Sequence, residues 1–302
     1  MSERRPLSIA HGKGRIHVED YGGDGATILL VHGLGGSHSN YSALATRLGS
    51  KGRVLAIDLP GFGLSEPTEG SSIDALARAL SRVIDACSSG EIQGASTPLV
   101  LVGNSMGGAL VIAEAARRPS YVRSLVLVCP ALPQPDLRAL DPRFSLMLGA
   151  SMLPGYDTFL RMRLDKAGPE AMVHEMLELC TVDKSRVPAE TVREMEDLAR
   201  RRMQFPWMGR AFSEAARSIV LHLLRRERFH DAMRAVRAPT VLVHGDSDRL
   251  VPVGAAHAAI KVCPHWKLEL LKDVGHVPQL EVPDRMAEIV VEALGATSER
   301  AA

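Results

Sequence analysis

Short apolar runs alternate with segments of helical periodicity, and this alternation most constrains the fold. Four of these runs, rich in Val, Leu and Ile, cover residues 28–31, 54–57, 99–102 and 125–128. Each is too short for a buried helix and suits a strand buried on both faces. Segments with a 3.6-residue repeat separate them at 41–48, 73–86 and 107–116. The alternation predicts a mainly parallel sheet with helices on both sides.

Four further strands complete the predicted sheet. Residues 7–10 and 15–20 are joined by a Gly-containing turn, which predicts an antiparallel hairpin at the sheet edge. Alternation resumes late in the chain with apolar strands at 240–243 and 268–271, before a closing amphipathic helix at 283–294. The sequence therefore predicts an α/β fold with eight strands, six before a long gap and two after it.

The gap between strands six and seven has a different character. Residues 131–237 contain no convincing buried strand, are rich in Arg and Met, and show helical stretches near 170–180, 189–203 and 211–226. We therefore expect a sheet domain, residues 1–130 and 238–302, interrupted by a helical insert at 131–237. The final residues, 297–302, are expected to fray. The Arg200-Arg201-Arg202 run in the insert is typical of a solvated helix face, and the alternative is contact with an anionic substrate or a membrane surface.

Composition excludes several classes of protein. The 302 residues carry 36 basic and 35 acidic side chains, which argues against a nucleic-acid partner and against disorder. Four scattered cysteines, no zinc-type spacing and no phosphate loop predict no metal and no cofactor. Without a secretory signal or a membrane-length apolar run, we expect a cytoplasmic protein with no stable membrane insertion. The sequence is compatible with either a monomer or a homodimer.

One motif carries chemistry. Gly103-Asn104-Ser105-Met106-Gly107 fits G-x-S-x-G, follows the strand at 99–102 and opens the helix near 107. Such a sharp strand-to-helix turn presents a serine hydroxyl at a helix N-terminus, where backbone N–H groups favour a developing anion. This context predicts that Ser105 is a nucleophile.

A serine nucleophile needs a histidine base that is held by a carboxylate, in the chain order Ser, acid, His. His276 follows Gly275 in the loop after the strand at 268–271, and it is the predicted base. Asp246 and Asp248 both follow the strand at 240–243, so both are candidate acids, although Asp246 could instead cap its turn. Of the other ten histidines, His32 and His244 are interpreted as structural, and His257 and His265 are weaker candidates for the base.

Acyl transfer through a tetrahedral intermediate also needs two donors for its oxyanion. The backbone N–H of Met106, directly after the nucleophile, is one predicted donor. The second is predicted to be the N–H of Leu34, in the loop His32-Gly33-Leu34-Gly35-Gly36 after the first parallel strand. The glycines of this loop allow an amide to turn inward.

Five motifs in this order resemble the α/β-hydrolase fold family outside the insert. They are His32-Gly33-Leu34-Gly35-Gly36, Asp58-Leu59-Pro60-Gly61-Phe62-Gly63-Leu64-Ser65, Gly103-Asn104-Ser105-Met106-Gly107-Gly108, Asp248-Arg249-Leu250-Val251-Pro252 and Gly275-His276. The resemblance implies that the insert is a cap over the active site. It implies Asp248 rather than Asp246 as the acid, and a structural role for the turn that begins at Asp58.

The resemblance also narrows the substrate to a small molecule. Serine at position 105 indicates acyl transfer to water, and the expected substrate is an apolar carboxylic ester. The alternative is hydrolysis of a carbon–carbon bond in meta-cleavage (dienoic keto-acid) products, whose enzymes share the pattern around Ser105 and Ser39-Asn40-Tyr41. Those enzymes tend to carry Trp after the catalytic His, where this chain has Val277. An acyltransferase or perhydrolase, and a non-catalytic binding module, stay as further alternatives.

Overall fold

An eight-stranded sheet lies at the centre of the protein. The structure is a computed structural model, and it describes residues 4–134 and 136–295. The strands are β1 (Arg5–His11), β2 (Gly14–Gly22), β3 (Thr27–Val31), β4 (Arg53–Ile57), β5 (Leu99–Asn104), β6 (Val122–Val128), β7 (Thr240–Gly245) and β8 (Lys267–Leu271). Their order across the sheet is β1-β2-β4-β3-β5-β6-β7-β8.

The pairing of the strands confirms the predicted sheet. β1 and β2 form an antiparallel hairpin at one edge, and β2 also pairs antiparallel with β4. Every pair from β4 through β8 is parallel. The residues of β3 and β4 are all buried, as expected for strands covered on both faces.

Helices cover both faces of the sheet. One layer contains α2 (Ile73–Ser88), α3 (Met106–Arg117) and α10 (Gly254–Val262), whose apolar residues share a core cluster with one face of the strands. The other contains α1 (Ser42–Leu48) and α12 (Pro283–Gly295), which pack on the opposite face. A four-residue helix, α11 (Pro278–Glu281), precedes α12.

The long segment between β6 and β7 is helical, as predicted. Its helices are α4 (Pro142–Ser151), α5 (Tyr156–Ala167), α6 (Pro169–Cys180), α7 (Ala189–Arg202), α8 (Met208–Leu224) and α9 (Arg226–Ala235). α6, α7 and α8 confirm the three predicted stretches, and α4, α5 and α9 were not individually predicted. Within the described ranges, 4–134 and 136–295, no helix has the length and apolar character needed to cross a membrane. The fraying predicted for residues 297–302 concerns positions outside these ranges.

This helical segment contacts loops at the carboxyl ends of the strands. Arg249, after β7, donates to the carbonyls of Leu179 and Thr181 at the end of α6. The backbone N–H of His276, after β8, donates to the Cys180 carbonyl oxygen at 2.7 Å. Since open α/β sheets place their sites at this edge, the segment borders the region where the sequence places its chemistry. Its description as a separate cap domain stays a prediction.

Candidate active site

Ser105 lies in a strained turn between β5 and α3. Its φ of +53° is in the left-handed region that side chains with a Cβ rarely adopt, and its backbone N–H donates to Val128 O at 3.0 Å. A Cβ at position 103 would lie 2.6 Å from Gly107 O, and one at position 107 would lie 2.2 Å from Val31 O. The glycines on both sides of Ser105 are therefore required by close backbone approach.

Asp248 and His276 form a buried pair in the loops after β7 and β8. Asp248 Oδ2 lies 2.7 Å from His276 Nδ1, and Oδ1 accepts from the backbone N–H groups of Leu250 and Val251 at 2.8 and 2.9 Å. Burial acts to raise the pKa of Asp248, but His276 and the Val251 N–H outweigh it and hold the pKa below its ordinary value. The pair is therefore an ionised carboxylate that orients an imidazole.

The other candidate acid has a different environment. Asp246 is exposed, and its Oδ1 accepts from the Asp273 backbone N–H and from the Ser247 hydroxyl, each at 2.8 Å. It thus stabilises its turn, which was the alternative interpretation from sequence. The structure places Asp248, and not Asp246, beside His276.

The remaining histidines considered from sequence lie in structural or exposed positions. His32 Nδ1 lies 2.7 Å from Gly33 O, and its Nε2 accepts from the Leu59 backbone N–H at 3.0 Å. His244 is fully buried, with Nε2 2.7 Å from Val251 O and 3.5 Å from Asp248 Oδ2. His257 and His265 are both exposed.

Asn104 connects the Ser105 turn to the histidine loop. Its side-chain amide donates to Val128 O and to His276 O, both at 3.0 Å. Sequence reasoning assigned no role to this side chain, although it stands directly before the predicted nucleophile. Among the described residues the Ser105 hydroxyl forms no hydrogen bond with His276, so the third contact of the predicted triad is not closed in this conformation. Such contacts often tighten only when substrate binds.

Two backbone N–H groups beside Ser105 are available as donors. The amides of Leu34 and Met106 donate no hydrogen bond to another part of the described chain. The loop that carries Leu34 approaches the nucleophile closely, since a Cβ on Gly33 would lie 2.8 Å from Ser105 Cβ. Only glycine at position 33 allows this approach. The arrangement is suited to holding an oxyanion between the two amides.

Residues from the helical segment reach the same loop. Arg202 Nη1 donates to Gly35 O at 3.3 Å, and a Cβ on Gly35 would lie 3.3 Å from the Phe212 ring. The expectation that Arg200-Arg201-Arg202 is wholly a solvated face is therefore wrong at its last member, because Arg202 is half-buried. Arg200 and Arg201 are exposed, as predicted. A single sequence holds no signal that distinguishes the third arginine, because the difference arises from tertiary packing.

A second buried polar cluster is centred on Asp58 and His38. Asp58 accepts from the His38 backbone N–H at 2.6 Å and from the Leu64 N–H at 2.8 Å, and its Oδ2 lies 2.8 Å from His38 Nδ1. This supports the structural role expected for Asp58. His38 also borders a cavity of about 450 Å³ that contains none of the predicted site residues.

Within residues 4–134 and 136–295, two groups of side chains have ligand atoms close enough to hold a metal ion. They are His17, His38 and Asp58, and separately Cys129, Asp248 and His276, with the atoms of each group within 4.8 Å of one another. In both groups the carboxylate is already bound to a histidine and to backbone N–H groups. Burial and the adjacent Asp248 raise the pKa of the Cys129 thiol well above its ordinary value, so it is a neutral thiol.

Comparison with known proteins identifies relatives over nearly the whole chain. Human monoacylglycerol lipase ABHD6 is 27% identical over 293 residues, covering 92% of this chain and 81% of the lipase. A 2-hydroxy-6-oxononadienedioate/2-hydroxy-6-oxononatrienedioate hydrolase from Cupriavidus pinatubonensis is 26% identical, covering 93% of this chain and 91% of the hydrolase. Among solved structures, a haloalkane dehalogenase from Agrobacterium tumefaciens superposes with a TM-score of 0.80 at 19% identity, covering 98% of each chain.

The relatives differ in the reactions that their names describe, whereas the structural likeness concerns the fold alone. A family profile described as the alpha/beta hydrolase family matches residues 28–289, which include the predicted active-site residues Ser105, Asp248 and His276. This match spans both parts of the sheet and the helical segment between them. The chain therefore belongs to the alpha/beta hydrolase family.

Proposed function

We propose that this protein is a serine hydrolase that cleaves carboxylic esters through an acyl-enzyme. The observation that carries the proposal is the position of Ser105. It occupies a left-handed turn at the N-terminus of α3, directly against Gly33, and the unbonded amides of Leu34 and Met106 directly follow Gly33 and Ser105 in the chain. A strained backbone at this position has a physical reason if the hydroxyl must be presented to a substrate.

Each step uses a residue of this site. Ser105 Oγ attacks the ester carbonyl carbon while His276 Nε2 takes the hydroxyl proton. Asp248 holds Nδ1 and stabilises the imidazolium, and the Leu34 and Met106 amides bind the oxyanion. His276 then gives its proton to the leaving alcohol as the C–O bond breaks. Water repeats the sequence on the acyl-enzyme and releases the carboxylic acid.

The helical segment supports an apolar acyl group as the preferred substrate portion. Phe212 packs on both the main core and a smaller cluster of Leu160, Leu164 and Met208, and it also contacts the loop at Gly35. Of the nine methionines between residues 147 and 233, three lie in or against this smaller cluster. Because methionine adapts to irregular apolar shapes, a cluster of this composition suits flexible acyl chains.

The test is hydrolysis of p-nitrophenyl esters from acetyl to palmitoyl, with Ser105→Ala as the matched control. We expect activity in the unmodified protein, an optimum that reports the pocket length, and loss of activity in the control. Activity that survives in Ser105→Ala would contradict the assignment of the nucleophile. No activity on any ester, with folded protein, would contradict ester hydrolysis.

One observation favours a second candidate, hydrolysis of a carbon–carbon bond in a dienoic keto-acid. Such a substrate carries a carboxylate, and Arg202 places a half-buried guanidinium against Gly35 with no acidic side chain within 4.0 Å among the described residues. The Cupriavidus relative is named for a reaction of this type. If this candidate is correct, the protein bleaches a yellow dienoate, is slow on simple esters, and loses the dienoate activity in Arg202→Met but not in Arg201→Met.

A further inference from the structure

Exposed apolar side chains are concentrated on one part of the helical segment. Of nine large apolar residues that are exposed within the described chain, eight lie between β6 and β7. Seven of these belong to α4, the turn after it, α5 and the end of α8, which contact one another. We call these seven the apolar face: Leu146, Met152, Leu153, Phe159, Met162, Leu221 and Leu224, with 43–74% of their surface exposed.

The apolar face points away from the protein core. On α5, Leu160 and Leu164 are buried and form a small cluster with Met208 of α8. Phe159 and Met162, one turn apart, are 61% and 67% exposed. Side chains at this spacing share one side of a helix, so α5 presents an apolar outer stripe that no described residue covers.

Basic side chains border the apolar face at helical spacing. Arg143 precedes Leu146 by three residues, Lys166 follows Met162 by four, and Arg225 follows Leu221 by four. All three cations are exposed. Long basic side chains beside apolar ones can place their charge at a polar interface while the apolar groups enter a less polar phase.

The charge of this region differs from that of the whole chain. Residues 142–167 and 217–228, which include the apolar face, together carry eight basic and three acidic side chains. The whole chain has 36 basic and 35 acidic side chains. A second copy meeting this face symmetrically would oppose two positive surfaces at short range. The charge therefore favours an anionic occupant over self-association.

We propose that the apolar face is a docking surface for an anionic phospholipid bilayer. Apolar side chains of α4, α5 and α8 enter the headgroup region, and Arg143, Lys166 and Arg225 contact lipid phosphates. This is peripheral adsorption and needs no membrane-spanning helix. It goes beyond the proposed ester hydrolysis and does not depend on it, because binding is measured without turnover.

The test is co-sedimentation of the full chain, carrying Ser105→Ala to prevent lipid hydrolysis, with phosphatidylcholine vesicles that do or do not contain phosphatidylglycerol. We expect binding to the phosphatidylglycerol vesicles that weakens with added salt. Phe159→Ser with Met162→Ser should lower this partition by roughly tenfold or more, because two apolar groups no longer leave water. Leu270→Ser is the matched control, since Leu270 is 45% exposed on the edge strand β8 outside the apolar face.

A charge variant separates the two parts of the proposal. Arg225→Gln with Lys166→Gln should remove the preference for phosphatidylglycerol while the melting temperature stays unchanged. Three results would overturn the proposal: no binding to phosphatidylglycerol vesicles, equal binding by the Phe159/Met162 variant, or an equal loss in Leu270→Ser. A concentration-dependent dimer that the Phe159/Met162 variant dissolves would also overturn it, because the face would then be an interface between copies.

Discussion

Replacing Asp248 by Asn tests the catalytic assignment with almost no change in shape. Asp248 Oδ1 accepts two backbone N–H bonds, from Leu250 and Val251, and Oδ2 faces His276 Nδ1 at 2.7 Å. In Asp248→Asn the amide oxygen must take the place of Oδ1, because an NH₂ group cannot accept hydrogen bonds from the Leu250 and Val251 N–H groups. The NH₂ group is thereby directed at His276 Nδ1.

The consequence is a change of tautomer. An imidazole that accepts a hydrogen bond at Nδ1 carries its proton on Nε2, so it cannot take the proton of Ser105. Loss of the correct tautomer in this way lowers kcat of a serine hydrolase by about 10⁴, or about 5 kcal/mol of transition-state stabilisation. The two backbone bonds to position 248 hold the amide in this orientation and prevent the flip that would rescue the enzyme.

The assay is kcat on a p-nitrophenyl ester near neutral pH, with thermal unfolding measured in parallel. Asp246→Asn is the matched control, since this exposed carboxylate bonds only to Asp273 N and the Ser247 hydroxyl. We expect it to retain activity within about threefold, an effect of less than 1 kcal/mol. A folded Asp248→Asn enzyme with near-normal kcat, or an equal loss in Asp246→Asn, would refute the reasoning.

Three further substitutions probe the loop beside the nucleophile and its support. Gly33→Ala would bring a methyl group to 2.8 Å from Ser105 Cβ, so we expect a fall in kcat of at least about tenfold with little change in far-UV circular dichroism. Burial lowers the pKa of His32 to about 4, so between pH ~6.5 and ~4 the unfolded chain binds a proton that the folded chain does not. The free energy of unfolding, measured by urea titration, should therefore fall by up to about 3 kcal/mol as the pH is lowered from ~6.5 to ~4. In His32→Gln this dependence on pH should be weaker. Asp58→Asn removes the buried partner of His38 and should cost about 3 kcal/mol or more near neutral pH. Burial acts to raise the pKa of Asp58, but His38 outweighs it and holds the pKa below its ordinary value. The deficit should therefore shrink as pH falls below ~4, and a deficit that is independent of pH would contradict the ion pair.

The sheet could be predicted from sequence because its pattern is local. Buried parallel strands are continuous runs of Val, Leu and Ile, and the glycines around Ser105 mark a turn that no other residue can form. The adjacency of Asp248 and His276 follows from parallel topology, since loops after neighbouring strands β7 and β8 meet at one edge. These features need no knowledge of side-chain packing.

The contacts between the helical segment and the site could not be predicted in this way. Arg200, Arg201 and Arg202 are identical in type and adjacent in sequence, yet only Arg202 is half-buried and reaches Gly35. Which residue of α7 turns inward depends on how that helix packs, and helical periodicity alone leaves its rotation relative to the sheet undefined. The surface of the helical segment that borders the candidate site is therefore the part that sequence leaves least determined.

The strain at Ser105 leads to a prediction that links stability with function. A non-glycine residue held at φ +53° costs about 1–3 kcal/mol, and the Ser105 side chain makes no capping bond to α3 that would offset this cost. Ser105→Gly should relieve this strain and so raise the free energy of unfolding. About 0.5–1 kcal/mol of the gain is lost again, because glycine has greater conformational freedom in the unfolded chain. We expect Ser105→Gly to unfold about 2 °C above Ser105→Ala, which keeps the Cβ and hence the strain, while both variants lack hydrolase activity. A melting temperature of Ser105→Gly at or below that of Ser105→Ala would show that the strain is no larger than the cost of glycine in the unfolded chain, which would contradict a backbone held under strain to present a nucleophile.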